Sequence, residues 1–435
     1  MKMNFRHFRQ LFELLLIVIL LFLANRRAWY CFFLLDDTEY YCEYGNTSTD
    51  FFWWGAIVAG VILLLVQRNF MKEYIARWKA NWPLLIFILY SVLSLIWTVN
   101  INRSIHTLYI MIAASISAAG LATMYSREQI FRLLLWFVGL IAFLSLTAVI
   151  LLPKTAITQV FYLAGTWRGV FWHKNYLGSV MAFGNGLFLL SLLQGRTRYR
   201  ILILRSIFYL LTLFLVIMSQ SGTGVIVLIL LNGLILVYFA WLKWGKLLKR
   251  IHYIVLATVF SLLSGGVLLN LKSLFSLIGK RPTLTGRLPL WQYLLRDVVS
   301  KRPWLGYGLE TIWYDRSFQV ASGKAAGWII VVVNSHSGYM DILVYLGVFG
   351  LIIFLLVVTW ALIRALRYAL NPGWSYNFVP LLVLAYVLIT NITISYFLEF
   401  ESFHWVLFVF VLFMTVSSSN LMVAKEILSE QQVST

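Results

Sequence analysis

Residues 342–363 read ILVYLGVFGLIIFLLVVTWALI, an apolar run with no charged side chain between Asp341 and Arg364. A run of this length suffices for an α-helix to cross the hydrocarbon core of a bilayer, which takes about 20 residues. Inside that core each backbone N–H and C=O must be paired within its own segment, as it is in a helix. The run therefore predicts a membrane-spanning helix.

Similar apolar runs recur along the chain of 435 residues, which is 61% hydrophobic and only 12% charged. A soluble domain carries about 25% charged residues. The first run ends at Asn25-Arg26-Arg27 instead of a small-residue cleavage site, which indicates an anchor and not a signal peptide. We expect an all-α polytopic membrane protein of about twelve spans, near residues 11–25, 51–66, 83–99, 105–124, 130–152, 175–193, 201–219, 223–242, 252–270, 337–362, 378–395 and 402–420.

The basic residues predict an orientation. With the N-terminus in the cytoplasm, most Lys and Arg residues fall in inner loops, whereas the short outer loops collect acidic residues. The chain then divides into an N-terminal bundle of about nine spans (1–270), a large extracytoplasmic loop (271–336) and C-terminal spans (337–435). We attribute the net charge of +19 to this topology and to anionic lipid, not to nucleic acid. The only cysteines, Cys31 and Cys42, share one outer loop, and the sequence leaves open whether they pair.

The large outer loop contains a helical pattern. Apolar residues recur at helical spacing after Pro289, which suits a first helical turn: Leu288, Trp291, Leu294, Leu295, Val298 and Val299. This predicts a short amphipathic helix lying on or dipping into the outer membrane interface, ended by Pro303 and the Gly306-Tyr307-Gly308 turn.

The first candidate site precedes the span at 175–193. Residues 166–178 read TWRGVFWHKNYLG and place Arg168, His173, Lys174 and Asn175 together at the membrane boundary. Cations beside an outward-facing helix N-terminus favour binding of an anion such as phosphate. The alternative is an interfacial aromatic belt whose basic side chains only extend to the lipid headgroups.

The second candidate site is the basic stretch that surrounds the amphipathic helix, with Arg281, Arg287 and Arg296. Arginine suits phosphate because its planar fork can bond two oxygens at once. The alternative is a solvated basic face that touches lipid headgroups. Arg287 is the favoured residue because it borders the apolar face of the helix.

The third candidate site is the stretch from Asn334 to Asp341, which enters the span at 337–362. A neutral imidazole of His336 at the mouth of a helix could accept a proton from an alcohol near neutral pH. A lone histidine at a span is also a common structural residue. Asp341 follows five positions later, about 140° round a helix, and is not an obvious partner of His336.

The sequence contains no His/Cys cluster with metal-ligand spacing and no supported acidic pair, since Asp36-Asp37 has no further ligands nearby. It also lacks a nucleotide-binding or serine-hydrolase motif. Any reaction is therefore expected to use an already activated substrate and no metal or cofactor.

Over residues 165–360 the chain resembles the O-antigen ligase and polymerase family of bacterial envelope glycan enzymes. The family's motif of His, a small polar residue, nine residues and Gly-x-x-Gly matches His336-Ser337 followed by Gly347-Val348-Phe349-Gly350. Residues 167–178 are similar to the form found in exopolysaccharide polymerases. So are the stretches 285–291 and 303–308.

The resemblance implies a donor glycan linked through pyrophosphate to undecaprenol, on the outer face of the bacterial cytoplasmic membrane. It implies that Arg168 and Arg287 bind the pyrophosphate and that His336 activates the acceptor hydroxyl. His173, Lys174, Asn175, Arg281 and Arg296 are further candidate substrate contacts. The acceptor is a second lipid-linked repeat unit in a polymerase or lipid A core in a ligase, and residues 167–175 favour the polymerase. A flippase and a chain-length regulator are candidate partners.

Two other classes of protein remain alternatives. A transporter is expected to show repeat symmetry and charges near the membrane midplane, whereas the polar residues here concentrate at the outer boundary. A structural scaffold for glycan export would leave His336 without a catalytic role.

Overall fold

The computed structural model of the protein describes residues 47–67, 69–159, 163–194, 198–244, 286–328, 332–371, 376–398 and 403–416. In these residues the regular elements are helices, apart from an isolated antiparallel bridge between Ile157 and Trp167. The expected spans at 11–25 and 252–270, Arg281 and both cysteines lie outside the described residues.

Thirteen helices of seven or more residues lie in the described ranges, and ten of them coincide with predicted apolar runs. The thirteen are α1 (Thr47–Gln67), α2 (Met71–Ala80), α3 (Trp82–Leu93), α4 (Ile101–Met124), α5 (Arg127–Leu151), α6 (Lys174–Leu193), α7 (Tyr199–Ser219), α8 (Gly222–Trp244), α9 (Arg287–Tyr293), α10 (Arg316–Ala326), α11 (Gly338–Ala369), α12 (Val379–Thr393) and α13 (Phe403–Met414).

Among these described helices, six are long and apolar enough to cross a membrane, or seven if the sharply bent pair α1 and α2 forms one span. Three shorter apolar helices, α3, α12 and α13, accompany them. The prediction of an all-α, multi-pass membrane protein is therefore confirmed. The total of about twelve spans stays a prediction.

Burial separates central helices from outer ones. All residues of α13 are buried, and α4 and α6 are buried over most of their length. In contrast only 17% of the apolar window of α7 and of α8 is buried inside the protein, as in helices that face lipid tails. α6 packs between α7 and α8, and α13 packs against α4 and α12.

Arginine side chains tie the helices together at one end of the bundle. The Arg77 guanidinium pairs with Glu73 and donates to the carbonyls of Ala122 and Phe413, which belong to the last turns of α4 and α13. Arg364 donates to the Asn81 side chain, 2.8 Å away. Cations stabilise helix C-termini because unpaired carbonyls collect there. Both Arg77 and Arg364 lie in segments that the predicted topology places on the cytoplasmic side.

The opposite end holds the residues predicted to face outward. Arg103, in the first turn of α4, pairs with Glu310 of the large loop at 3.3 Å, and both side chains are 12% exposed. Thr107 donates to the same carboxylate. A buried ion pair is stable only when its remaining lone pairs are also satisfied, which Thr107 achieves here.

The predicted loop helix is present as α9 and continues in a π turn, Leu294–Val298, and a 3₁₀ turn, Val299–Lys301. Its buried face matches the predicted one only in part. Leu294, Val298 and Val299 are buried as predicted, and so is Leu290, whereas Leu288 and Leu295 are exposed. The π turn shifts the helical phase by one residue, which a regular helical spacing does not anticipate.

α11 is broken at Gly347, where the loop from Pro303 to Gly308 docks. Gly347 has φ 67° and ψ −169°, a conformation essentially confined to glycine. The backbone N–H groups of Tyr307 and Gly308 donate to the carbonyls that the break releases, those of Val344 and Tyr345, at 3.1 and 2.9 Å. The large loop is thereby fixed to the helix that follows His336.

Candidate active site

His336 lies in a tight loop, Asn334–Ser337, directly before α11. Its backbone is left-handed (φ 53°), and its N–H donates to the Asn334 side chain at 3.0 Å. Ser335 and Ser337 bind each other through the Ser335 hydroxyl, which donates to the Ser337 carbonyl at 2.8 Å. A left-handed non-glycine residue costs of order 1 kcal/mol or more, so the surrounding hydrogen bonds must hold it there.

Two side chains anchor this loop through Ser335. Its N–H donates to the Asp341 carboxylate at 3.0 Å, and its carbonyl accepts from the Trp291 indole at 2.8 Å. The Asp341 carboxylate is buried, next to the side chains of Trp313 and Ser395. Sequence spacing argued against a direct pair of Asp341 and His336, and the structure connects them through the intervening backbone instead.

The His336 imidazole makes no hydrogen bond to any residue that the structure describes, and it is partly exposed. The Trp328 ring packs edge-on against it at 5.0 Å. Burial, followed by the charge of Arg287 and the neighbouring His173, lowers the pKa of His336 to about 3. The ring is therefore neutral near pH 7 and has a nitrogen lone pair available to a substrate proton.

Arg287 opens α9 after Gly286, whose φ is 92°. A Cβ on Gly286 would lie 2.2 Å from the Trp328 indole nitrogen and 2.6 Å from the Ala326 carbonyl oxygen, so only glycine fits. Trp328 therefore touches both Gly286 and His336. The side chain of Arg287 and that of Trp291, four residues later, lie on one helix face, which brings Arg287 to the His336 loop.

The Arg287 side chain is half-buried, and its guanidinium forms no ion pair with a carboxylate in the described part of the chain. Burial lowers the pKa of Arg287 to about 10, with a smaller opposing influence of Tyr396, so the group stays cationic at neutral pH. A buried cation without a counter-ion is unfavourable, and it is therefore a candidate ligand for an external anion.

Arg168 and His173 approach the same place from the loop before α6. Arg168 donates to the carbonyls of Thr155 and Trp172. Gly169 makes this possible, since its φ is 58° and its Cα packs directly against Ser145 of α5. Burial and then the charges of Lys174, Arg287 and Arg168 lower the pKa of His173 to about 3.

These electrostatic influences identify which predicted residues the structure brings together. Arg287 acts on both histidines, Arg168 acts on His173, and the two histidines are close enough to act on each other. Segments far apart in the sequence thus converge on one cationic site. It lies at the end of the bundle that was predicted to face outward.

Other predicted contacts have structural partners or lie elsewhere. Lys174 donates to the Gln220 carbonyl at 3.1 Å, and the Asn175 side chain accepts from the Ser221 hydroxyl at 2.9 Å. Both therefore hold the tight turn between α7 and α8. Arg296 is exposed on the loop helix, and Arg281 lies outside the described residues.

Sequence reasoning did not identify Trp328 or Tyr396 at this site. Trp328 follows Gly327, the left-handed end of α10, and Tyr396 lies in the short segment after α12. Neither residue belongs to a periodic pattern or a charged cluster. Only the backbone path brings them to Gly286 and Arg287.

Comparison with known families gives one match, and no curated protein matches the chain. Residues 207–355, from within α7 to within α11, match the family described as O-antigen ligase. The matched region includes Arg287, His336 and the break at Gly347, whereas Arg168 and His173 precede it. The chain is thus a multi-pass membrane protein whose residues 207–355 match the O-antigen ligase family.

Proposed function

We propose that the protein is a membrane glycosyltransferase that polymerises lipid-pyrophosphate-linked oligosaccharide repeat units on the outer face of the cytoplasmic membrane. The observation that carries the proposal is the Arg287 guanidinium, which has no carboxylate partner in the described residues and lies beside a neutral His336. A cation and a neutral base at one site suit the displacement of an anionic leaving group by an alcohol.

Arg287 and Arg168 bind the pyrophosphate of the donor in this proposal. The bond between the anomeric carbon and the phosphate oxygen breaks during transfer, so negative charge grows on the pyrophosphate. A guanidinium already in place stabilises that charge more in the transition state than in the ground state, which lowers the barrier.

His336 accepts the proton of the acceptor hydroxyl while its oxygen attacks the anomeric carbon. One C–O bond forms, one C–O bond breaks, and polyprenyl pyrophosphate leaves with the electron pair. Single displacement inverts the anomeric centre. The donor already carries the energy of the reaction, so the proposal needs no ATP site, metal or cofactor.

The base becomes stronger when the donor binds. Burial and Arg287 hold the pKa of the free His336 low, which keeps the imidazole neutral but weakly basic. A bound pyrophosphate offsets the charge of Arg287 and favours protonation of His336. The imidazole is therefore expected to accept a proton most readily when the donor is in place.

The acceptor separates two candidate activities. The resemblance of residues 167–178 to exopolysaccharide polymerases favours a second lipid-linked repeat unit, whereas the description of the matched family favours lipid A core, the acceptor of a ligase. Membrane lipids, a flippase and a chain-length regulator are proposed partners in either case.

The test is complementation of a strain that lacks the protein, with surface glycans resolved by size. We expect the wild-type chain to restore a ladder of long glycans. Arg287→Ala and His336→Ala should leave single repeats on the carrier lipid at normal protein levels. Arg296→Ala is the matched control, because this arginine is exposed on the same loop helix.

Each outcome has a distinct meaning. If polymer still forms without the wild-type protein but stays on its carrier instead of reaching lipid A core, the protein is a ligase. If Arg287→Ala and His336→Ala match the wild type, the site is wrong, and transport or scaffolding becomes the better account.

A further inference from the structure

We propose that His173 is a hydrogen-bond donor to the leaving pyrophosphate and not a second base. The inference rests on the proposed function and deepens it by assigning the chemistry of one histidine at the same site. It depends on a backbone hydrogen bond that fixes which ring nitrogen carries the proton.

His173 is the N-cap of α6, and its Nδ1 accepts a hydrogen bond from the Asn175 N–H at 3.1 Å. A backbone N–H can only donate, so Nδ1 must present a lone pair. In a neutral imidazole the proton then resides on Nε2. The fold thereby selects one tautomer: Nδ1 is the acceptor and Nε2 is the donor.

Asn175 keeps this arrangement rigid. Its side chain accepts from the Ser221 hydroxyl at 2.9 Å, and Ser221 in turn accepts from the Gly224 N–H at 3.1 Å. The first turns of α6 and α8 are therefore tied together, and the N–H that fixes the His173 ring does not move independently. The Trp172 ring, 5.2 Å from the imidazole, packs beside it.

The surroundings of His173 suit an anion. The charged groups that act on it are Lys174, Arg287 and Arg168, all of them cations. The Nε2 atom makes no hydrogen bond to any residue within the described ranges. A neutral N–H donor among cations is complementary to phosphate oxygens, whereas protonation of the ring would add a further positive charge to the cluster.

The two histidines consequently differ although the same arginine acts on both. His336 has neither ring nitrogen bound in the described residues, so one of them is available as an acceptor for the substrate proton. His173 has its acceptor nitrogen occupied by the helix cap and offers only a donor. For His173 to act as a base, its ring would have to release α6.

Three substitutions of His173 distinguish its role as the N-cap of α6 from its role as a hydrogen-bond donor. In His173→Asn the side-chain oxygen still caps α6, since Asn is among the best N-caps, but its amide does not reach the Nε2 position. In His173→Gln the amide N–H reaches the Nε2 position, but the side chain no longer accepts the hydrogen bond from the Asn175 N–H that caps α6. His173→Ala removes both functions.

The measurements use the purified full-length protein, with inorganic pyrophosphate as the binding probe and lipid-linked repeat units as the substrate. For His173→Asn we expect a wild-type melting temperature, a kcat lowered about 100-fold with little change in KM, and weaker pyrophosphate binding. His173→Gln should melt at a lower temperature but recover most of the kcat lost in His173→Ala.

Several results would overturn the inference. They are wild-type kcat and pyrophosphate affinity in His173→Asn, no rescue by His173→Gln, or a His173-dependent shift of the acid limb of the pH profile, which a base would cause. If the wild-type protein binds pyrophosphate through His173 but transfers no glycan, the proposed function fails while the assignment of the donor stands.

Discussion

Replacing Gly347 with alanine tests whether the broken helix holds the site together. Gly347 lies eleven residues after His336, and the intervening part of α11 is continuous helix. At about 1.5 Å per residue, the break lies roughly 14 Å from the first turn of α11. The nine residues between His336-Ser337 and Gly347 in the motif therefore set how far the histidine loop lies from the point where the large outer loop docks.

The expected loss of folding free energy in Gly347→Ala has two contributions. The backbone of Gly347 has φ 67° and ψ −169°, a region that costs about 1–3 kcal/mol for a residue with a side chain. An added Cβ would lie 2.2 Å from the Trp304 carbonyl oxygen, so the docked backbone must move. That movement weakens the hydrogen bonds from Tyr307 and Gly308 to α11, each contributing about 1 kcal/mol.

We therefore expect Gly347→Ala to lower the free energy of unfolding by roughly 3–5 kcal/mol and the melting temperature in detergent by roughly 5–10 °C. The rate of transfer should fall even where Gly347→Ala is folded, because the same outer loop carries Trp313, which packs beside Asp341. Gly233→Ala is the matched control: Gly233 lies in the middle of α8 with no atom within 4 Å of an added Cβ. That variant should be neutral or slightly stabilised.

The assay is thermal unfolding of the purified protein in detergent, followed by glycosyl transfer at a temperature where each variant is folded. Gly347→Ala with a wild-type melting temperature and wild-type activity would refute the reasoning. In that case α11 could straighten without loss, and the glycine pair of the motif would need another explanation. Equal destabilisation by both alanine variants would also refute it.

Four further predictions concern the site. Arg287→Lys should lose about 100-fold in kcat, since an ammonium cannot bond two phosphate oxygens as a fork, whereas Arg296→Lys should match the wild type in the same transfer assay. Because the pKa of the free His336 is lowered to about 3, its base form persists below its ordinary titration range. The profile of kcat/KM should therefore be flat from about pH 8 to about pH 5, while the acid limb of kcat lies at higher pH; an acid limb of kcat/KM near 6.5 would contradict this. Asp341→Asn should keep most activity because an amide oxygen still accepts from Ser335, and Asp341→Leu should lose about 100-fold; similar rates for the two variants would exclude this positioning role. Chelation with EDTA should leave the initial rate of transfer unchanged, and recovery upon added Mg²⁺ would contradict a metal-free reaction.

The helices could be predicted from the sequence because a bilayer leaves the backbone few choices. Long apolar runs had to be helical, and the ends of the observed α4, α5, α6 and α7 lie within a few residues of the predicted ones. The bend between α1 and α2 and the break in α11 were not predicted. Both depend on backbone conformations, a left-handed Asn69 and the unusual Gly347, that apolar periodicity does not report.

Part of the candidate site could also be predicted from the sequence, because polar residues stand out in an apolar chain. Arg168, His173, Arg287 and His336 are charged or titratable residues at predicted membrane boundaries, which makes them visible in an apolar sequence. The roles of Asp341 and Trp328 could not be predicted from the sequence. Asp341 contacts Ser335 and Trp328 contacts Gly286 only because of how the intervening turns fold, which residue spacing does not report. Lys174 and Asn175 also have structural partners in the turn between α7 and α8, and their contact with a substrate stays a prediction.

The strongest argument for an anionic substrate is how differently the fold treats its buried arginines. Arg77 pairs with Glu73, and Arg103 pairs with Glu310. Arg364 donates to the side chain of a helix cap and to a backbone carbonyl. Arg287 has no such partner in the described part of the chain.

An uncompensated guanidinium lowers stability, whereas Arg77 and Arg103 are each paired with a carboxylate. Within the described residues Arg287 has no carboxylate partner, and an external anion would complete its site during function. The same reasoning explains why His173 must be neutral: a further positive charge beside Lys174, Arg168 and Arg287 would raise the repulsion that the substrate has to offset. The positions of the hydrogen bonds, and not the identity of the side chains alone, therefore decide which histidine donates and which accepts.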